Sequence, residues 1–212
     1  CYRLKRFHYQ YVHYESGDER GIDVALLYDS TKVKVLDSKP LRVDLNEDNT
    51  RDILYVKTLL HERDTLHVMV CHLPSRLGGG AATEWKRLKA KQVIQHQIDS
   101  VLHQQPQAQI VIMGDMNDEA KNDLSGMSNQ MIAMERVGQG THKYQGIWSC
   151  LDQFYVSEKM KERCVVQIYS PEWLLEEDTK YLDYQPNRTF VGFRYHGGYS
   201  DHMPIVLQLM SR

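Results

Sequence analysis

The stretch that decides the fold is IVIMGDMNDE, Ile110 to Glu119. Its apolar start reads as a strand built for the core. It then stops abruptly in Gly114, Asp115, Met116 and Asn117. A Gly-Asp after a strand is most often an ordinary turn. The other reading is a reaction centre at the strand's end.

Working outward, the same feature recurs. VMVCHLPSR is an apolar run that ends in His72; SCLDQFYVS carries Asp152 near its start; YSDHMPIVLQL has Asp201 and His202 just before its strand. Each is weak alone. A strand-terminal histidine is usually a satisfied structural residue, and Ser200-Asp201 can simply end a turn. Asp152 inside an apolar run is less ordinary. An unpartnered buried carboxylate is expensive, so it needs a hydrogen-bonded companion, and a histidine suits. Strands of one sandwich can bring such distant ends to a single rim.

The remaining pattern is strand-rich. GIDVALLYDS reads as a buried strand, KVKVLDSKPLRVDL as a half-exposed strand broken at Pro40, and DILYVKTLL with TLHVMVCHL as two strands joined by a turn at HERD. One convincing helix runs from Thr83, a plausible N-cap, to Gln105, with Ala90, Ile94, Ile98 and Val101 on one face. Residues 117–148 read as a short helix and loops, and EWLLEEDTKYLDY as helical. The KRLKAK segment reads as a solvated helix face and Gly78–Gly80 as a flexible connector.

Bulk properties bound the function. The chain has 212 residues, 42% apolar and 25% charged, which fits one globular domain over 1–212. No apolar run is long enough to span a membrane. A formal charge of -2 does not advertise a broad basic surface for duplex binding. The four cysteines, Cys1, Cys71, Cys150 and Cys164, have no CxxC spacing and read as buried thiols. No export signal is visible, and compartment and oligomeric state are not readable from the residues.

A rim of carboxylate, amide and imidazole suits phosphate-ester hydrolysis. Carboxylate and amide oxygens are hard ligands matched to Mg²⁺ or Mn²⁺. A histidine can move protons or donate to a phosphate, oriented by a buried carboxylate. Asp115 and Asn117 would face the same side of a regular strand.

In this order, RGIDVALLY, HVMVCHLPSR, IVIMGDMNDE, CLDQFYVS and GGYSDHMPIVLQL resemble the endonuclease/exonuclease/phosphatase superfamily, the fold of deoxyribonuclease I. The HLPSR version, with its Gly-rich loop and basic helix, is most similar to the uncharacterised bacterial branch. The resemblance implies an α/β fold, a four-layer α-β-β-α sandwich of two mostly antiparallel sheets. It implies that His72 contacts phosphate or acts as acid, and that Asp115 orients or activates water. Asn117 would hold a phosphate oxygen, Asp152 would pair with His202, and Asp201 and Asp115 would be metal-associated. The family's early Asn and its Gln-Glu strand have no counterpart ahead of Arg20, where Glu15 and Glu19 sit in a turn. The expectation is that the N-terminal strand-helix segment carrying them precedes Cys1.

Arg20, Ser75 and Arg76 are candidate substrate contacts, since an arginine suits bidentate phosphate binding. Solvated caps and surface ion pairs are the plain alternatives. Arg194, Tyr195 and His196 lead into the Ser-Asp-His motif and read as a packed loop or as a pocket wall. The reading is a metal-dependent phosphoesterase, nuclease or phosphatase, acting by in-line water attack with nucleic acid among its candidate substrates. The alternative is a non-catalytic binding domain that keeps the fold.

Overall fold

The computed structural model describes residues 2–46 and 48–210. Strands β1 (Tyr9–His13) and β2 (Ala25–Asp29) form an antiparallel hairpin. β3 (Val33–Leu41), β4 (Ile53–Leu60) and β5 (Asp64–His72) form a meander that leads into helix α1 (Gly80–Gln104) and β6 (Gln109–Asp115). β7 (Met127–Asn129), the short helix α2 (Ile132–Arg136), the hairpin β8 (His142–Tyr144) and β9 (Ile147–Ser149), and β10 (Asp152–Ser157) follow. Then come β11 (Cys164–Ile168), the hairpins β12 (Leu175–Asp178) with β13 (Asp183–Pro186) and β14 (Phe190–Val191) with β15 (Arg194–Tyr195), and β16 (Ile205–Leu209). The fold is mixed α/β. Its centre is a six-stranded sheet in the order β3-β4-β5-β6-β10-β7, parallel only at β5–β6.

Alternation explains the layers. In β6, Ile110 and Ile112 face α1, while Val111 and Met113 face the β11–β16 ribbon. Both faces are covered, so this central strand is apolar throughout rather than alternating. The α1 side is filled by Ala90, Ile94, Ile98 and Val101 against Ile53, Tyr55, Met69 and Ile110. Burying each of the larger side chains contributes roughly 1.5–3 kcal/mol. On the other face Phe154, Val156 and Met131 meet Val166, Ile168, Ile205 and Leu207.

Several expectations change. β2 is half-exposed, because β1 and β2 pair only with each other among the described residues. β3 runs through Pro40, which an edge strand tolerates because one side needs no ladder donor. The HERD turn puts His61 and Glu62 at positive φ (47° and 57°), the handedness that suits a tight hairpin. Helix α1 starts at Gly80, and Thr83 lies inside it, donating its hydroxyl to the Gly79 carbonyl. The KRLKAK segment is only partly solvated: Arg87 and Lys91 are buried. EWLLEEDTKYLDY forms the β12–β13 hairpin after one 3-10 turn, since side-chain pairing across it outweighs helix propensity. Cys71 and Cys150 are buried free thiols and Cys164 is half-buried; Cys1 lies outside the described residues. No described helix is long and apolar enough to cross a membrane.

Candidate active site

Strand register builds the rim. The parallel β5–β6 pairing sets His72 beside Asp115, and the antiparallel β6–β10 pairing sets Asp115 beside Asp152. Three side chains far apart in sequence therefore share one rung at the sheet's end. A one-residue slip would turn buried side chains outward, so the two apolar faces hold this rung in place. Arg51, buried, fastens the end of β5: Nε donates to the His72 carbonyl (2.9 Å), Nη2 to the Leu73 carbonyl (3.2 Å), and Nη1 to Asp18 (2.9 Å).

The turn after β6 is built by its glycine and its asparagine. Gly114 has φ +132°, and a β-carbon there would collide with the Cys71 carbonyl. Asn117 is left-handed (φ 48°), donating its backbone N–H to Asp115 Oδ1 (2.8 Å). Its Nδ2 donates to Asp115 Oδ2 (3.1 Å) and to the Leu73 carbonyl (3.0 Å). Asp115 and Asn117 thus meet through a turn, because the strand ends at Asp115. Both hydrogens of the Asn117 amide are engaged, so reaching a phosphate oxygen requires releasing one.

The Ser-Asp-His segment closes the site. His202 Nδ1 lies 2.6 Å from Asp152 Oδ2. The Ser200 hydroxyl accepts the His202 backbone N–H (3.1 Å). Thr141 ties this loop to the sheet, taking the Met203 N–H on its carbonyl (2.7 Å) and the Asp152 N–H on its hydroxyl (3.1 Å). His142 bridges His202 through the backbone, with ring centroids 4.8 Å apart.

The electrostatics follow from crowding. Burial first, then the neighbouring Asp152, raises Asp115 to about 6. Burial opposes charge on His202, but its bond to Asp152, with Asp115 and Asp201 behind it, outweighs this and lifts it to about 8. Burial and the Arg51 charge push His72 down to about 4. At neutral pH His72 is uncharged, so its 3.5 Å approach to Asp115 is not an ion pair. Burial, then the charges of His202 and Arg188, takes His142 to about 4.

Two groups here could hold a cation. Donor atoms of Asp115, Asp152 and His202 lie within 4.8 Å of one another, as do those of His142, Asp201 and His202. The two acids expected at a metal, Asp115 and Asp201, fall in different groups that share His202. Two carboxylates in the first group give hard oxygen donors, which fit a divalent ion such as Mg²⁺ or Mn²⁺. Glu15 falls in a third group of the same spacing, with His13 and Asp23.

The expected substrate contacts are placed unevenly. Arg20 is exposed and paired with Asp18 (3.3 Å). Ser75 accepts the Leu77 N–H in a local turn (3.4 Å). Arg76 reaches the rim from its side, donating Nε to the Asn117 carbonyl (3.0 Å) and Nη2 to Asp118 (3.3 Å). Sequence reasoning missed His142 and Arg51. His142 sits in a Gly-rich stretch without periodicity. Arg51 precedes a strand with nothing local to mark it, although a lone arginine flanking an apolar run is a weak signal of a buried fastening.

A family model described as "Endonuclease/Exonuclease/phosphatase family" matches residues 1–211, and the chain belongs to that family. The family typically binds a divalent metal. Among solved structures, truncated TDP2 from Caenorhabditis elegans superposes with a TM-score of 0.66 at 14% identity, covering 99% of this chain and 78% of that one. An endonuclease/exonuclease/phosphatase family protein from Bacteroides thetaiotaomicron gives 0.57 at 10% identity, covering 97% and 78%. TDP2 from D. rerio complexed with single-strand DNA product gives 0.52 at 17%, covering 96% and 78%. At such identities these likenesses speak for the fold alone. No curated protein sequence matches the chain.

Proposed function

We propose that this chain is a metal-dependent phosphoesterase that hydrolyses its substrate by in-line attack of water on phosphorus. The observation that carries the reading is the 2.6 Å pair of His202 with Asp152, standing beside Asp115 on one rung. In this reading Asp152 fixes the His202 ring and favours its protonated form, so that Nε2 can donate to a phosphoryl oxygen or pass a proton. Asp115 orients the attacking water. Asn117 positions Asp115, and neutral His72 donates to the phosphate. Asp115 and Asp152, or Asp201, would hold the divalent ion, which polarises the phosphoryl oxygen and offsets charge in the transition state. Arg76 is the best placed of the candidate substrate arginines, beside Asn117; Arg20 and Ser75 border the same end.

The four-layer sandwich, as one domain over 1–212, is the architecture proposed for the whole fold. What supports it is α1 packed on one face of the six-stranded sheet and the β11–β16 ribbon on the other. Single-stranded DNA is the first substrate to try, because TDP2 from D. rerio carries such a product. Hydrolysis of bis(p-nitrophenyl) phosphate and of an oligothymidylate is to be measured with Mn²⁺, with Mg²⁺ and with chelator. The reading expects metal-dependent turnover that falls by about a hundredfold or more in Asp115→Asn. Metal binding without hydrolysis of any phosphoester would instead make this a binding domain that keeps the fold.

A further inference from the structure

Beside the rim lies an open cleft of about 340 Å³ between the β8–β9 and β12–β13 hairpins. The cleft adjoins the site along β8, where His142, its ring 4.8 Å from that of His202, is followed by Lys143, whose side chain leaves the strand on the other face and enters the cleft wall. Lys143 is buried and already neutralised, with Nζ 3.2 Å from Asp178 and 3.0 Å from Asp183. Arg188 is different. Its Nη2 donates to the Lys143 carbonyl (2.7 Å), which pins the guanidinium one residue from His142. Its Nε is buried without a partner, and no carboxylate pairs with it among the described residues. A half-buried guanidinium lacking a counter-ion is costly unless an anion completes it. Lys180 lines the same cleft, as do Glu177 and Asp178, the latter paired with Lys143. Tyr144, at the mouth, is 67% exposed and offers a flat face.

We infer that this cleft is a subsite for the nucleotide flanking the scissile bond of a single-stranded oligonucleotide, with Arg188 on its phosphate and Tyr144 under its base. The inference rests on the phosphoesterase reading for the identity of the scissile bond. Its volume lies in the range of small-ligand sites. A planar fork suits a phosphate, and a base stacks on an exposed ring whatever its sequence. Arg188 acts here as a specificity residue, since the single phosphate undergoing hydrolysis lies at the rim.

The test has a binding arm and a kinetic arm. Fluorescence anisotropy of a fluorescein-labelled oligothymidylate, with chelator present to prevent turnover, is compared across variants. Arg188→Gln is expected to weaken binding by about tenfold, the loss of one charged contact, and Arg188→Lys by less. Tyr144→Ala loses several-fold, while Lys161→Gln, outside the cleft, matches the parent. In turnover, Arg188→Gln raises KM for the oligonucleotide by about tenfold, a larger factor than any change it makes on bis(p-nitrophenyl) phosphate, which has no flanking nucleotide to place in the cleft. A purely structural Arg188 would lower the melting temperature and damage both substrates equally. Equal binding by parent and Arg188→Gln, or no binding by the parent, overturns the inference. Binding that depends on Arg188 without hydrolysis of either substrate sustains the subsite and sinks the catalytic reading instead.

Discussion

Gly114 shows what a single residue does here. Its φ of +132° and its approach to the Cys71 carbonyl leave no room for a β-carbon. This lets β6 lie against the end of β5 and still turn Asp115 toward Asp152. Gly114→Ala is expected to cost about 2–4 kcal/mol, combining backbone strain and overpacking. Urea denaturation at unchanged m-value measures it; a loss below about 0.5 kcal/mol, the level of an ordinary surface change, contradicts the steric argument. The glycine was readable as a turn residue, but the collision that makes it necessary depends on a strand forty residues earlier in the chain. The same holds for Asn117. Its two-residue spacing from Asp115 was plain in the sequence, whereas the left-handed turn that joins their side chains was not.

Among the elements, α1 is tied to the site loop by one buried cation. Lys91 Nζ lies 2.8 Å from Asp118 and 2.6 Å from Asp123, and Asp123 also accepts the Tyr155 hydroxyl (2.8 Å). Although burial raises Asp118, its contacts with Lys91 and Lys121 dominate and hold it at about 2. Because the folded value lies below the ordinary 3.8, this contribution is present above about pH 4 and is lost as pH falls toward 2. Lys91→Met leaves two carboxylates without their shared partner. It is expected to destabilise by about 3–5 kcal/mol, lowering the melting temperature by roughly 10 °C, and to flatten the acid-side loss of stability. Melting curves between pH 2 and 6 decide this; parallel losses in parent and variant would mean the network is not what holds Asp118 down. The apolar stripe of α1 was visible from its spacing. Burial of Arg87 and Lys91 was not, because a charged residue reads as solvated until its partners are known. Likewise the segment 172–184 has helix-forming composition, and only its pairing across a hairpin makes it β.

At the scale of the whole molecule, the site exists because the sheet and the loop layer close on the same end. Periodicity showed the strands, and the polar residues at their ends singled out His72, Asp115, Asp152 and His202 as candidates, which the fold brings to one end of the sheet. The rung that aligns the first three is a property of register, which no single strand encodes. His142 and Arg188 are invisible locally for the same reason, since His142 stands beside the rim on the β8–β9 hairpin and Arg188 in the cleft on the loop after β13, both in weakly patterned sequence. The central claim is that His202 and Asp152 act as one catalytic unit beside Asp115. The most direct measurement is a double-mutant cycle, with kcat/KM for Asp152→Ala, His202→Ala and the double variant on one phosphodiester with Mn²⁺. The prediction is a loss of about a hundredfold or more in His202→Ala, with the double variant losing scarcely more than that single one. Losses that multiply as for independent sites, or singles that hydrolyse like the parent, would contradict it.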